Sequence, residues 1–198
     1  MLLVYAVVIG LIAGVTSGGR LAPLGSVHIR LWGVALLGLV FQAFLFSSPL
    51  AAVVGQFGPP LYVGSTALVL IALLVNLRQP GFVLIAAGAV LNFTVVLANG
   101  GQMPASPEAV AALMGAPVLP TTGFTNSVIA GPETNFAFLG DIFVLPRPWP
   151  LANFFSIGDV LIGVGGAWFI ARTMHRRQDA PQIRAARRVP AQVRPSHG

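Results

Sequence analysis

LWGVALLGLVFQAFLFSSPLAAVVGQFGPPLYVGSTALVLIALLVNL, residues 31–77, contains no charged side chain. About 20 apolar residues at 1.5 Å rise cross a hydrocarbon core about 30 Å thick, so this run is long enough for two membrane spans. The break falls at Gly55-Gln56-Phe57-Gly58-Pro59-Pro60, where tandem prolines withdraw backbone donors and stop a helix. That division gives spans at 31–54, with Pro49 as a kink, and 61–77. Downstream, Arg78-Gln79-Pro80-Gly81 turns the chain into a further span, 82–98, ended by Asn99-Gly100-Gly101, residues that tolerate positive φ. Residues 157–174 form the last apolar run and residues 1–16 the first. The first lacks a basic n-region and a small-x-small cleavage site, so it reads as a span and not as a removable signal.

The expected fold is therefore an all-α integral membrane protein with about five transmembrane helices. A long outer loop, 99–156, separates the fourth from the fifth, and 175–198 is an Arg-, Pro- and Gln-rich tail expected to be disordered. Composition agrees. Of 198 residues, 56% are hydrophobic and only 8% charged, against about 25% charged in a soluble domain. So little charge cannot cover a globule facing water. It can face lipid.

Several chemistries drop out. Without cysteine there are no thiolate metal sites, disulfides or cysteine nucleophiles, and without lysine there is no Walker-type phosphate loop or Schiff base. His28, His175 and His197 are too scattered for a ligand cluster, so no metal or cofactor is expected. A pI near 11.6 would suggest nucleic acid, but the position of the charge argues for a membrane partner instead. Seven of the eleven basic residues, all arginines, are Arg172, Arg176, Arg177, Arg184, Arg187, Arg188 and Arg194. With the N-terminus outside, the inner segments hold these together with Arg20, Arg30 and Arg78, while the outer segments hold Arg147 alone. Arginine on one side sets the orientation: N-terminus out, C-terminal tail in the cytoplasm, with anionic lipid as a contact.

Gly10, Gly14 and Gly18 put a small-residue face on the first helix, suited to packing within the bundle or to dimerisation. Gly163-Val164-Gly165-Gly166 lies inside an apolar span with no preceding strand, so it reads as packing and not as a nucleotide fingerprint.

The outer loop is where chemistry can sit, because connections beyond about 15 residues usually carry function or structure of their own. Ser106 as N-cap and Pro107 at N1 predict a short helix over 106–114, lying on the outer leaflet or covering the bundle mouth. Trp149, Phe154 and Phe155 fall where an aromatic belt belongs. Asp141 and Asp159 stand in apolar surroundings near the outer face, and ionisable residues there are functional candidates. Two accounts fit them. Ser156 and Asp159 have capping-box spacing and Asp141 could serve a turn after Gly140, which is structure alone. Alternatively the two carboxylates converge and one keeps a proton, giving an acid and a base for hydrolysis. The polar residues Asn99, Gln102, Asn126, Asn153 and Ser156 complete the candidate site.

Nearly the whole chain resembles a bacterial membrane-protein family known as domain of unknown function 5317. The likeness is carried by Asn99-Gly100-Gly101-Gln102-Met103-Pro104, Ser106-Pro107-Glu108, Phe124-Thr125-Asn126-Ser127, Leu139-Gly140-Asp141-Ile142 and Phe155 to Ile162. It implies a bacterial inner-membrane location and no established activity. Residues 141–163 also resemble the last third of lipoprotein signal peptidase (signal peptidase II), an intramembrane aspartic protease. Asp141-Ile142-Phe143, Trp149-Pro150, Asn153-Phe154 and Ile157-Gly158-Asp159 carry that likeness. By it, Asp141 and Asp159 would be the catalytic dyad, acting on a lipoprotein-like substrate. That family's Asn-x-x-Asp-Arg motif has no counterpart here, and it has four spans.

The first functional expectation is an accessory protein that binds lipid or another membrane protein through the outer loop. The alternative is an aspartic hydrolase using Asp141 and Asp159. A small-solute transporter ranks third, because its pathway would place ionisable residues near the midplane and these spans hold almost none.

Overall fold

The computed structural model of the chain describes residues 2–45, 57–115 and 127–176. It is mostly helical. Five apolar helices form a bundle: α1 (Leu2–Thr16), α2 (Trp32–Leu45), α3 (Gly58–Leu74), α4 (Phe82–Ala98) and α6 (Ile157–Met174). A short α5 (Pro107–Met114) lies in the connection between α4 and α6. By length and composition α6, at 18 residues, is the one described helix long and apolar enough to cross a bilayer; α1 to α4 are apolar but shorter.

The bundle is a row, α1–α6–α4–α3–α2, in which each helix packs on the next. Small residues set the close approaches. A Cβ on Gly10 would lie 2.8 Å from Ala167 O, and Gly14 faces Met174, so α1 runs parallel to α6 and spends its glycine face inside the chain. Gly81 has φ 77° and presses against Gly165 and Phe169, while Gly88 meets Gly158, so α4 and α6 are antiparallel. The 163–166 glycines thus serve packing. Phe82 closes the same end of this pair edge-on against Phe169, centroids 5.2 Å apart. Gln42 Nε2 donates to Ser65 Oγ and Thr66 Oγ1, each at 3.2 Å, tying antiparallel α2 to α3.

Taken together, these pairings place the starts of α1, α3 and α6 and the ends of α2 and α4 at one end. At the other end lie Arg20, Arg30, Arg78, Arg172 and Arg176. There Arg30 exchanges two backbone hydrogen bonds with the Asn76 side chain, at 2.9 and 2.7 Å, and Arg20 N donates to Met174 O at 2.8 Å. Of the arginines among the described residues, Arg147 alone stands at the opposite end.

That opposite end carries a folded cap which an all-α expectation does not contain. β1 (Met103–Ala105) pairs in parallel with β2 (Ser127–Ile129), and β3 (Phe143–Leu145) pairs antiparallel with β4 (Asn153–Phe155). Phe143 stacks on Phe155 with centroids 5.5 Å apart. α5 packs on β3 and β4, with Ser106 Oγ accepting from Ala109 N at 3.0 Å and Gly115 closing it at φ 69°. It therefore packs on the cap's own strands, with Ala109 and Val110 buried. Strands so short lack the long alternation that marks a strand in sequence.

Helix bounds differ in one place for a clear reason. Pro59 and Pro60, expected to precede the third span, instead lie in the first turn of α3, where the missing N–H groups have no intrahelical partner anyway. The distal part of the expected 31–54 span, with Pro49, and nearly all of the tail lie outside the described residues.

Burial concentrates where cap meets bundle: Val95, Val96 and Met103 form a core with Tyr62, Val63 and Leu139. Along the helices large apolar side chains point outward, with Leu37 70% and Val83 62% exposed.

Candidate functional site

Asp159 occupies the third position of α6 and forms a capping box there. Its N–H donates to Ser156 Oγ at 3.0 Å, and its Oδ2 accepts from Ser156 N at 3.0 Å. The structural account of this residue therefore holds. The box is not closed on itself, however. Ser156 Oγ donates to Asn92 Oδ1 at 2.8 Å, and Asn92 Nδ2 donates to Asp159 Oδ1 at 2.9 Å. Ser156 is fully buried beneath this ring.

Asp141 comes from the cap. Its N–H donates to Pro104 O at 2.8 Å and its carbonyl accepts from Ser106 N at 3.0 Å, so both backbone groups are held beside β1. Gly140 is needed just before it, since a Cβ there would overlap Pro104 O. The residue is 8% exposed, and among the described residues no side chain or backbone donor reaches its carboxyl. Burial first, and then the charge of Asp159, push its pKa up from 3.8 to about 7.

Both aspartates line one cavity of about 410 Å³. Tyr62 reaches it from α3, Asn92 and Val96 from α4, Met103 and Ser127 from β1 and β2, Leu113 from α5, and Asn153 and Phe154 from β4. A carboxyl whose pKa burial raises to about 7 thus shares a part-apolar cavity with a second carboxyl. Such a pair can give one proton and take another in a single event. Among the described residues there is no group of three His, Cys, Asp or Glu suited to a metal.

Of the other expected site residues, Asn153 lines the cavity and Ser156 supports Asp159. Asn99 does not reach it: its side chain bonds Val95 O and the backbone of Asn135 and so ties α4 to the cap. Gln102 follows this turn without lining the cavity, its N–H donating to Asn99 O at 3.3 Å. Asn126 lies outside the described residues. Asn92 and Tyr62 line the cavity as well, outside the residues that the sequence singles out. Asn92 does carry a signal, an amide in the middle of an apolar run, whereas Tyr62 has none.

Fold and site together define a class: an apolar helical row whose strand-built cap encloses a two-aspartate cavity. Within that class the chain belongs to a family of unknown function, DUF5317, whose model matches residues 26–171 and so spans the cavity residues. No curated protein and no solved structure matches it. The local likeness to lipoprotein signal peptidase thus rests on the quoted residues alone.

Proposed function

We propose that this is a multi-pass protein of the bacterial inner membrane, with its cap outside, and that its aspartate pair hydrolyses amide bonds at the outer surface. The membrane reading is supported by the up-and-down alternation of five apolar helices and by their exposed side chains. A soluble protein seldom exposes contiguous apolar patches beyond a few hundred Å². It is also supported by the gathering of arginines at the end away from the cap. α1 to α4 are short for a 30 Å core, and bilayer thinning accommodates such a mismatch at modest cost.

One observation carries the hydrolase reading: Asp141 and Asp159, on different elements, line the same cavity while Asp141 holds its proton to about 7. In the reaction Asp159 takes a proton from water as its oxygen bonds to the carbonyl carbon. Asp141 gives its proton to the amide nitrogen as the C–N bond breaks. One proton enters the pair and one leaves, and exchange between the carboxyls restores the start. The apolar walls, Val96, Met103, Leu113 and Phe154, suit an uncharged segment of a membrane-anchored polypeptide.

A second reading, an accessory protein that binds a partner through the cap, is favoured by one fact. The Asp159 carboxylate is already used to start α6. Mapping of new protein termini in membranes from cells producing the wild type, Asp141→Asn or Asp159→Asn separates the two. Hydrolysis predicts termini that need both aspartates. Identical termini in all three strains remove the hydrolase reading and leave the binding one.

A further inference from the structure

The cavity presents two carboxyls, and a division of labour needs something that treats them differently. Geometry supplies it. The Asp159 oxygens face one N–H each, from Ser156 N and Asn92 Nδ2, whereas no described donor reaches the Asp141 carboxyl. The direction of the ring is fixed as well. Ser156 Oγ accepts from Asp159 N, so its single proton is free to go to Asn92 Oδ1. That bond orients the carboxamide, and its Nδ2 then faces Asp159. Among the described residues lining the cavity, the two aspartates are the charged ones and Tyr62 the further titratable one.

We infer that Asn92 is a positioning residue that assigns the base role to Asp159 and leaves the exchangeable proton on Asp141. The inference rests on the acid-pair reading and deepens it. A neutral amide suits the task, because it can hold a carboxylate by a hydrogen bond without adding a charge that would also act on the partner. α4 is brought close enough by Gly88 and Gly158, where any side chain would intervene. Asn92 thus acts through Asp159 and does not act on a substrate.

The test needs no substrate. The chain has three aspartates, Asp141, Asp159 and Asp179, so carboxyl-13C aspartate gives three assignable signals from the full chain in detergent micelles. In the wild type the Asp141 signal should show a step near 7. In Asn92→Leu the proton is no longer directed to Asp141, and the step on the Asp141 signal should move below 7 and lose amplitude. Ser156→Ala, which frees the carboxamide but leaves the Ser156 N–H in place, should give the same change to a smaller extent. It also serves if Asn92→Leu does not fold. An unchanged step on the Asp141 signal in a folded variant overturns the inference. Its failure is distinct from failure of the hydrolase reading, which depends on the termini and not on these signals.

Discussion

Gly88 and Gly158 bring α4 and α6 together backbone to backbone: a Cβ at Gly158 would lie 2.7 Å from Gly88 O and overlap the Asn92 carboxamide. Gly158→Ala must therefore part the helices or displace Asn92, and a side chain forced into packed space costs roughly 1–3 kcal/mol. Gly25→Ala, where nothing lies within 4 Å, should change stability by less than about 0.5 kcal/mol. Thermal unfolding of both variants in detergent checks the contrast. Equal midpoints would mean that α4 and α6 do not meet as described.

Asp141 should make the protein less stable as pH rises. An unfolded chain ionises this residue near 3.8 and the folded protein near 7, so between these values the folded state binds more protons. Stability then falls as pH climbs from about 4 to about 7 and is level above, by on the order of 3 kcal/mol for a nearly buried group. Asp141→Asn removes this dependence. The variant should match the wild type at pH 4 and exceed it at pH 8, as read by unfolding midpoints at the two pH values. A wild type that is more stable at pH 8 than the variant would contradict the burial of this carboxyl. Hydrolysis, if measured, should decline as pH rises through about 7, where folded Asp141 loses its proton.

At the other end of α6, His175 joins two helices. Its Nδ1 lies 2.8 Å from Ala171 O and its Nε2 3.1 Å from Ser17 O, and only the imidazolium can donate to both. These bonds, Ala171 first, raise its pKa. The clamp is complete below the ordinary histidine value, about 6.5, and is lost as pH rises through the higher folded value. Exchange of the Gly19 and Arg20 amides, corrected for the intrinsic pH effect, should quicken across that interval in the wild type. In His175→Gln the corrected rates should not respond to pH.

Much of this helical architecture is legible in the amino-acid order, because apolar runs and their Pro and Gly breaks are local features. The Ser106 and Ser156 caps are local too, and both form. Asp141 and Asp159 line one cavity, and the cap brings Asp141 to it through non-local contacts that no local pattern announces: Pro104 to Asp141 and Ser106 to Asp141. β1 to β4 have three residues each, too few for a period to declare itself, and their pairing depends on partners up to a loop away. Asn92 was hidden differently. In a span, one amide looks like a tolerated polar residue until the facing helix shows a serine and an aspartate beside it. Asn99 misled in the opposite sense, since a polar residue at a helix end is as well used by tying the chain together.

Sidedness gives the last prediction. Because the chain has no cysteine, single introduced cysteines report access without background. Glu133→Cys lies on the exposed surface of the cap, and Gly25→Cys lies exposed between α1 and α2 at the arginine end. With arginine retained in the cytoplasm, a membrane-impermeant maleimide should label Glu133→Cys in intact spheroplasts and Gly25→Cys only after permeabilisation. The two positions sit at opposite ends of the same helical row, so their labelling must be opposite in any orientation that spans the bilayer. Labelling of both without permeabilisation would place the whole chain on one side of the membrane. The cap's cavity would then have no bilayer beside it from which to draw a membrane-anchored substrate.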